Sequence, residues 1–253
     1  MLEVATDTAL LLVLAAFCAG FIDSIAGGGG LISVPALLLA GASPVETLAT
    51  NKLQGTFGAA AATLAYARTG HVNLRDQLGL ALISAVAGGG GAMLAHLIPA
   101  EVLRVVMPVV LIAVAAFFAL KPGLSDDSST ERMRPVVFSA TIVPAIAAYD
   151  GLFGPGTGSF FMMGFVLLAG YGVLKATANT KVLNFSSNLA SLMVFIPLGA
   201  TWWTVGLAMA GAQIVGASIG ASLAVRIGAK LIKPLLVTVS IGMALRLLWQ
   251  ALA

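Results

Sequence analysis

Charged residues are scarce in this sequence: they make up 9% of its 253 residues, whereas hydrophobic residues make up 59%. The mean hydropathy is correspondingly high, at +1.03. A chain with so little charge cannot cover a soluble globule with polar surface, so these figures exclude that class and predict a polytopic protein of the lipid bilayer. The net charge of +3 is typical of loop lysines and arginines that orient membrane segments, and it is no argument for a nucleic-acid partner.

Residues that carry metal or covalent chemistry are equally few. The single cysteine, Cys18, excludes an internal disulfide and a cysteine metal cluster, and neither His71 nor His96 lies deep in an apolar segment. No P-loop motif GxxxxGK[ST] is present. We therefore expect no enzyme, no cofactor and no metal site. Glu3 and Asp7 stand where a cleavable signal would need positive charge, so we expect no signal peptide and a complete chain.

Two glycine clusters interrupt the apolar pattern. Four consecutive glycines at 27–30 follow Asp23 in FIDSIAGGGGLISVP, and YDGLFGPGTGS at 149–159 places a second cluster after Asp150. The apolar arms beside them, at 8–25, 30–42, 135–149 and 157–171, fall short of the roughly 20 residues that cross a bilayer. Broken helices in corresponding halves of a transporter mark its binding site. We therefore predict two re-entrant helical hairpins at 8–42 and 135–171. The alternative is close helix packing, which we prefer for the glycines at 88–91.

The remaining segments repeat. The ranges 47–67, 77–98, 102–120, 176–198, 203–225 and 230–250 are each long enough to cross a membrane. A shift of 129 residues superposes Lys52 on Lys181, and a shift of 127 superposes Asp23 on Asp150. The sequence therefore predicts a first repeat at 1–120, a polar linker at 121–134 and a second repeat at 135–253, each repeat a hairpin followed by three transmembrane helices.

The distribution of positive charge favours inverted repeats. Four crossings in each half would make the repeats parallel and divide the lysines and arginines nearly evenly between the two sides. If each half is instead a hairpin that enters and leaves the membrane on one side, followed by three crossings, the two halves are inverted. Of the loop lysines and arginines, only Arg104 and Arg246 then lie outside. We therefore predict an all-α polytopic protein with inverted repeats, an outside N-terminus and a cytoplasmic linker. The inside loops then hold Arg68, Arg75, Lys121, Arg132, Arg134, Lys175, Arg226, Lys230 and Lys233.

The hairpin tips and the helices beside them form the candidate substrate site. A half-helix that starts after a glycine turn points free N–H groups and a positive dipole end into a cavity, and Lys52 and Lys181 each lie five residues into a neighbouring crossing. Such donors favour a small oxyanion. The candidate substrate-binding residues are Gly28, Gly29, Gly30, Asn51, Lys52, Gln54, Gly156, Thr157, Gly158, Ser159, Thr180, Lys181 and Asn184, with Asn188 a further polar neighbour.

Two aspartates complicate the charge of this site. Ionised Asp23 and Asp150 are expensive within a membrane and would compete with an anion for the lysines. Our hypothesis is that one or both bind a proton in one access state, which frees a lysine for the substrate. The alternatives are that the lysines snorkel, or that they pair permanently with the aspartates as structural ion pairs.

The motifs also resemble a known family. FIDSIAGGGGLISVPALL, ATNKLQGTFGAAAATLAYARTGHVNLR, YDGLFGPGTGSFFM and KATANTKVLNFSSNLASL are similar to segments of the TauE/SafE family of sulfite and organosulfonate exporters. The resemblance implies a multi-pass transporter of sulfur-containing anions in a bacterial inner membrane. It also implies that the motif glycines, Asn51, Lys52, Thr180 and Lys181 lie near the substrate.

The expected mechanism is secondary transport by alternating access, with a small anion as the partner. A passive anion channel and a non-transporting membrane scaffold are the alternatives, and the sequence does not fix the oligomeric state.

Overall fold

The computed structural model describes residues 3–120 and 131–228. Within these ranges the chain is helical and contains no strand, so the predicted all-α class is confirmed. Most of the predicted linker and the predicted crossing at 230–250 lie outside the described residues.

Five helices make up the first half. They are α1 (Thr6–Ala26), α2 (Gly30–Leu39), α3 (Pro44–Arg68), α4 (Leu78–Leu97) and α5 (Ala100–Leu120). α3 starts with a capping box, because the Ser43 hydroxyl accepts the Glu46 N–H while the Glu46 carboxylate accepts the Ser43 N–H. Helices α3, α4 and α5 overlap the ranges predicted as crossings at 47–67, 77–98 and 102–120, and of these three α4 is among the candidate membrane spans.

The second half is helical as far as it is described. A short α6 (Pro135–Val137), a π-helical turn (Phe138–Ile142) and α7 (Val143–Leu152) run on as one segment, Pro135–Leu152. Next come α8 (Thr157–Leu167), α9 (Val173–Phe195), a 3-10 turn (Ile196–Leu198) and α10 (Trp203–Ile227). Helices α9 and α10 correspond to the crossings predicted at 176–198 and 203–225.

Five segments of the described chain are long and apolar enough to span a membrane: Thr6–Ala26, Leu78–Leu97, Pro135–Leu152, Val173–Leu198 and Trp203–Ile227. The first arm of each predicted hairpin is therefore longer than the sequence predicts, with 21 and 18 residues. The second arms, α2 and α8, have only 10 and 11 residues and fall short of a span. Each glycine break thus joins a long helix to a short one.

The helices of the two halves pack against each other. α1 lies along α10, α7 lies along α4, and α3 contacts α9 at the centre. Glycines allow these close approaches: no Cβ would fit at Gly220, which lies against the backbone of Phe21, or at Gly91, which lies against Ala148. Gly88 likewise lies against Ser187, so the packing role predicted for the glycines at 88–91 is confirmed for Gly88 and Gly91 and is wrong for Gly90, where no atom of the described residues lies within 4 Å of a Cβ position.

Candidate substrate site

Both glycine breaks need backbone conformations that favour glycine. Gly27 and Gly28 have φ values of 78° and 93°, and Gly154 and Gly156 have values of 92° and 82°. Side chains of L-residues rarely tolerate this region. The glycines therefore let the chain reverse from α1 into α2, and from α7 into α8, within three or four residues.

The two breaks are in direct contact. A Cβ on Gly27 would lie 3.0 Å from the Cα of Gly158, and one on Gly30 would lie 3.1 Å from the Cα of Pro155. The Ser159 hydroxyl also donates a hydrogen bond of 3.0 Å to the carbonyl oxygen of Ala26. The turns at 27–29 and 153–156, which we call the two tips, therefore pack against each other without intervening side chains.

The short helices begin at these tips without a side-chain cap. The N-cap residues of α2 and α8 are Gly29 and Gly156, and neither supplies a capping group. The first N–H groups of a helix have no partner within that helix, and they carry its positive dipole end. Two such ends therefore meet where the tips touch.

Both lysines of the sequence motif are ion-paired across the halves. Lys52 Nζ on α3 lies 2.9 Å from Asp150 Oδ1 on α7, and Lys181 Nζ on α9 lies 2.9 Å from Asp23 Oδ2 on α1. Both lysine side chains are fully buried. Each lysine thus pairs with the aspartate of the other predicted repeat.

The second oxygen of each aspartate is held differently. Asp150 Oδ2 accepts a hydrogen bond from the Ser187 hydroxyl, and its side chain is 4% exposed. Asp23 Oδ1 accepts the backbone N–H of Gly29 at 3.1 Å, and its side chain is 19% exposed. Asp150 is therefore enclosed by side chains, whereas Asp23 is tied to a tip and is the more accessible carboxylate.

A small polar cavity lies between the tips and the ion pairs. Its volume is about 30 Å³. Such a space suits a ligand of a few atoms. Its lining combines tip backbone, both aspartates and four side-chain amides: Asp23, Gly28, Gly29, Gly30, Asn51, Gly55, Asp150, Gly154, Gly156, Thr157, Gly158, Asn184, Asn188 and Gln213.

Most of the candidate residues line this cavity, but five do not. Those that line it are Gly28, Gly29, Gly30, Asn51, Gly156, Thr157, Gly158 and Asn184, together with Asp23 and Asp150. Lys52 and Lys181 lie behind the lining in their ion pairs, and Thr180 is buried outside it. The Gln54 amide donates to Asn51 Oδ1 at 3.2 Å, and Ser159 bonds across the tips. These residues support the lining from behind.

Gly55, Gly154 and Gln213 line the cavity but are absent from the predicted substrate-binding residues, although Gly154 lies within the predicted glycine cluster. Gly55 lies one turn beyond Asn51 on α3, so helical spacing from Asn51 was the available signal. Gln213 is a buried amide in the middle of the apolar helix α10, and polar residues inside membrane helices mark functional positions by default. Neither His71 nor His96 lines the cavity. The described residues contain no group of three or more histidine, cysteine or acidic residues able to hold a metal.

The family model for the sulfite exporter TauE/SafE matches residues 12–247 of this sequence. The chain belongs to this family. The resemblance seen in the motifs is therefore confirmed, and the chain is a membrane transporter of the TauE/SafE family.

Curated relatives cover nearly the whole chain. "Probable membrane transporter protein ORF9" of Sinorhizobium sp is 56% identical over 98% of this chain and 95% of its own length. "Probable membrane transporter protein YfcA" of Escherichia coli K12 is 41% identical over 95% of this chain and 90% of its own length. A "Probable membrane transporter protein" of Haemophilus influenzae is 37% identical over 98% of both chains. No solved structure matches the chain.

Proposed function

We propose that this TauE/SafE protein is a secondary transporter that exports small sulfur-containing anions, such as sulfite, sulfoacetate or other organosulfonates, across a bacterial inner membrane. The observation that carries the proposal is the polar cavity lined by both glycine tips and by the aspartates of both lysine–aspartate pairs. Two helix N-termini, at Gly30 and Thr157, bring their positive dipole ends to the cavity, which favours an oxyanion. The small volume favours the smaller members of this class.

The charges near the cavity support coupling to protons. Among the described residues, the ion pairs contribute two positive and two negative charges, which cancel. An anion that entered this buried set would carry an uncompensated charge, which is costly away from water. Protonation of an aspartate removes one negative charge and frees the paired lysine. Proton binding and anion binding then favour each other.

Alternating access needs two units that move against each other around a fixed site. The packing of α1 on α10 and of α7 on α4 supplies two candidate units, each drawn from both halves of the sequence. One tip follows α1 and the other follows α7, and the contact between them involves only glycine, serine and proline. Inverted repeats with opposed hairpins would allow the same movement to open the cavity to each side in turn.

Transport by purified protein in liposomes tests this proposal. We expect saturable uptake of radiolabelled sulfite that responds to an imposed pH gradient, and strong loss of uptake in Lys52→Ala and Lys181→Ala. Lys175→Ala is the matched control, because Lys175 is exposed at the start of α9 and lies over the Tyr171 ring, away from the cavity.

Folding must be checked beside transport, because each single lysine variant leaves a buried carboxylate unpaired. The double variant Lys181→Ala with Asp23→Ala removes both charges, so we expect it to fold and still fail to transport. Undiminished uptake by both single lysine variants would contradict the proposed site. If the wild-type protein takes up none of the sulfur anions, the result would favour the scaffold alternative.

A further inference from the structure

Two amide oxygens on residues that line the cavity have no hydrogen-bond partner within the described chain. Asn184 on α9 and Gln213 on α10 both line the cavity, and each is 4% exposed. Asn184 Oδ1 and Gln213 Oε1 are both buried without a partner. A buried polar atom without a partner costs free energy that a fold normally avoids. Of the buried side-chain polar atoms that lack a partner among the described residues, only these two belong to residues that line the cavity, where a bound ligand can complete their hydrogen bonds.

The fold makes specific room for Gln213. Glycines on two other helices, Gly20 of α1 and Gly58 of α3, face its side chain, and a Cβ at either position would lie 2.7 Å from Gln213 Cγ. Both glycines therefore leave room for the side chain of Gln213, which lines the cavity. Larger residues there would displace Gln213.

The corresponding positions of the first half carry no free amide. The shift of 129 residues that aligns the halves places Ser84 against Gln213 and Gly55 against Asn184. The Ser84 hydroxyl is already satisfied, because it donates to the carbonyl oxygen of Leu183 at 2.9 Å. Gly55 has no side chain. The two amides of the second half thus make one side of the cavity polar, and the first half has no equivalent pair.

The unpaired atoms indicate the form of the ligand. Amide oxygens only accept hydrogen bonds, and the Asp23 carboxylate on the same cavity also accepts while it is ionised. A fully deprotonated oxyanion brings acceptors alone and would leave these oxygens unpaired. An oxyanion that keeps one hydroxyl can donate to them, and it adds one negative charge instead of two to the balanced ion pairs.

We propose that Asn184 and Gln213 bind the transported anion in a singly charged form that keeps a hydroxyl, with hydrogensulfite the smallest sulfur-containing example. The hydroxyl donates to an amide oxygen, and the amide NH₂ groups donate to the remaining oxygens of the anion. This inference rests on the proposed function and specifies the ionic form that the same cavity takes.

A pair of matched anions tests the role of the hydroxyl. Methanesulfinate has the same charge as hydrogensulfite and similar size, but it carries a methyl group in place of the hydroxyl. At a pH where hydrogensulfite predominates, we expect wild-type protein to prefer it by about tenfold in KM, the size of one hydrogen bond of ordinary strength. Gln213→Met preserves the volume and should remove this preference by raising the KM for hydrogensulfite. An equal KM for the two anions in wild type, or an unchanged preference in Gln213→Met, overturns the inference.

Thermal stability separates a ligand role from a structural one. Gln213→Met removes an unpartnered amide, so the Tm of the free protein should stay the same or rise. Ser84→Ala is the matched control: it removes a satisfied hydroxyl and should lower the Tm while it keeps the anion preference. Hydrogensulfite should raise the Tm of wild type and leave that of Gln213→Met unchanged. A lower Tm in Gln213→Met, or no ligand shift in wild type, overturns the inference. If the ligand shift occurs but liposomes transport neither anion, the proposed function fails and the binding site stands.

Discussion

Lys181 Nζ lies 2.9 Å from Asp23 Oδ2, and this contact joins α9 of the second half to α1 of the first. The lysine is fully buried, whereas the aspartate side chain is 19% exposed and lines the cavity. The Lys52–Asp150 pair has the same length, but a serine hydroxyl encloses its carboxylate further. The two pairs therefore have unequal access to protons and to a ligand.

We expect Asp23→Asn to remove most of the response of transport to a pH gradient. The asparagine cannot exchange a proton, and Asp23 is the more accessible carboxylate. Asp150→Asn should weaken this response less. The measurement is the initial rate of sulfite uptake with and without the gradient. Full pH dependence in both variants would refute proton coupling through these residues.

Removal of one charge from the Lys52–Asp150 pair should destabilise the protein strongly. Lys52→Met leaves a carboxylate buried without its cation, and such losses cost about 3–5 kcal/mol. The double variant Lys52→Met with Asp150→Asn removes both charges and should regain most of that stability. Thermal unfolding in detergent measures the difference, with Lys175→Met as the exposed control. If the double variant is no more stable than the single one, the loss does not come from an unpaired charge.

Gly27→Ala should destabilise the contact between the tips. Its φ of 78° costs a non-glycine residue about 1–2 kcal/mol, and the new methyl group would press on Gly158 and Ser159. Gly90→Ala is the control, because space is open around Gly90 in α4. An alanine inside a helix is favoured over glycine by roughly 0.5–1 kcal/mol, so Gly90→Ala should raise the Tm. Equal effects of the two substitutions would show that the tips do not pack as described.

Glu3 should contribute a small stability that depends on pH. Partial burial raises the pKa of Glu3, but hydrogen bonds from the N–H groups of Thr204 and Val205, at 2.9 and 3.1 Å, outweigh it and hold the pKa below its ordinary value of 4.5. The ionised form therefore stabilises the start of α10. Its contribution is complete above the unfolded pKa and disappears as the pH falls through the lower folded value.

Glu3→Gln should therefore lower the Tm near neutral pH and have little effect in acid. We expect a loss below about 1 kcal/mol, because the group is mostly exposed to solvent. Glu131→Gln, at another exposed position, is the control. A Tm difference between Glu3→Gln and wild type that does not change with pH would contradict this account of the helix start.

The helices and the cavity region could be predicted from local signals. The glycine clusters break the apolar pattern at the turns 27–29 and 153–156. Asn51 and Lys52 are polar residues in an otherwise apolar segment, and they mark the adjacent helix α3. The sequence also raised pairing of lysines with aspartates as an alternative. It could not assign Lys52 to Asp150 and Lys181 to Asp23, because those partners depend on how the two halves pack.

Gln213 escaped prediction for a related reason. A single glutamine in an apolar helix has no spacing partner, and the glycines that make room for it lie on two other helices. The extra length of α1 also had no clear signal, since the polar residues Thr6 and Asp7 do not extend the apolar run although the helix includes them. Both features depend on contacts between elements that are distant in sequence.

Counterflow of radiolabelled sulfite tests the central claim most directly. Proteoliposomes loaded with unlabelled sulfite should take up external labelled sulfite faster than empty ones, because a carrier returns to the outer face more readily with substrate bound. Asn184→Leu and Gln213→Met, which alter the lining of the cavity, should reduce this exchange, whereas Ser84→Ala should not. If internal sulfite does not accelerate uptake, or if the lining variants exchange as fast as wild type, this cavity is not the binding site of an alternating-access carrier.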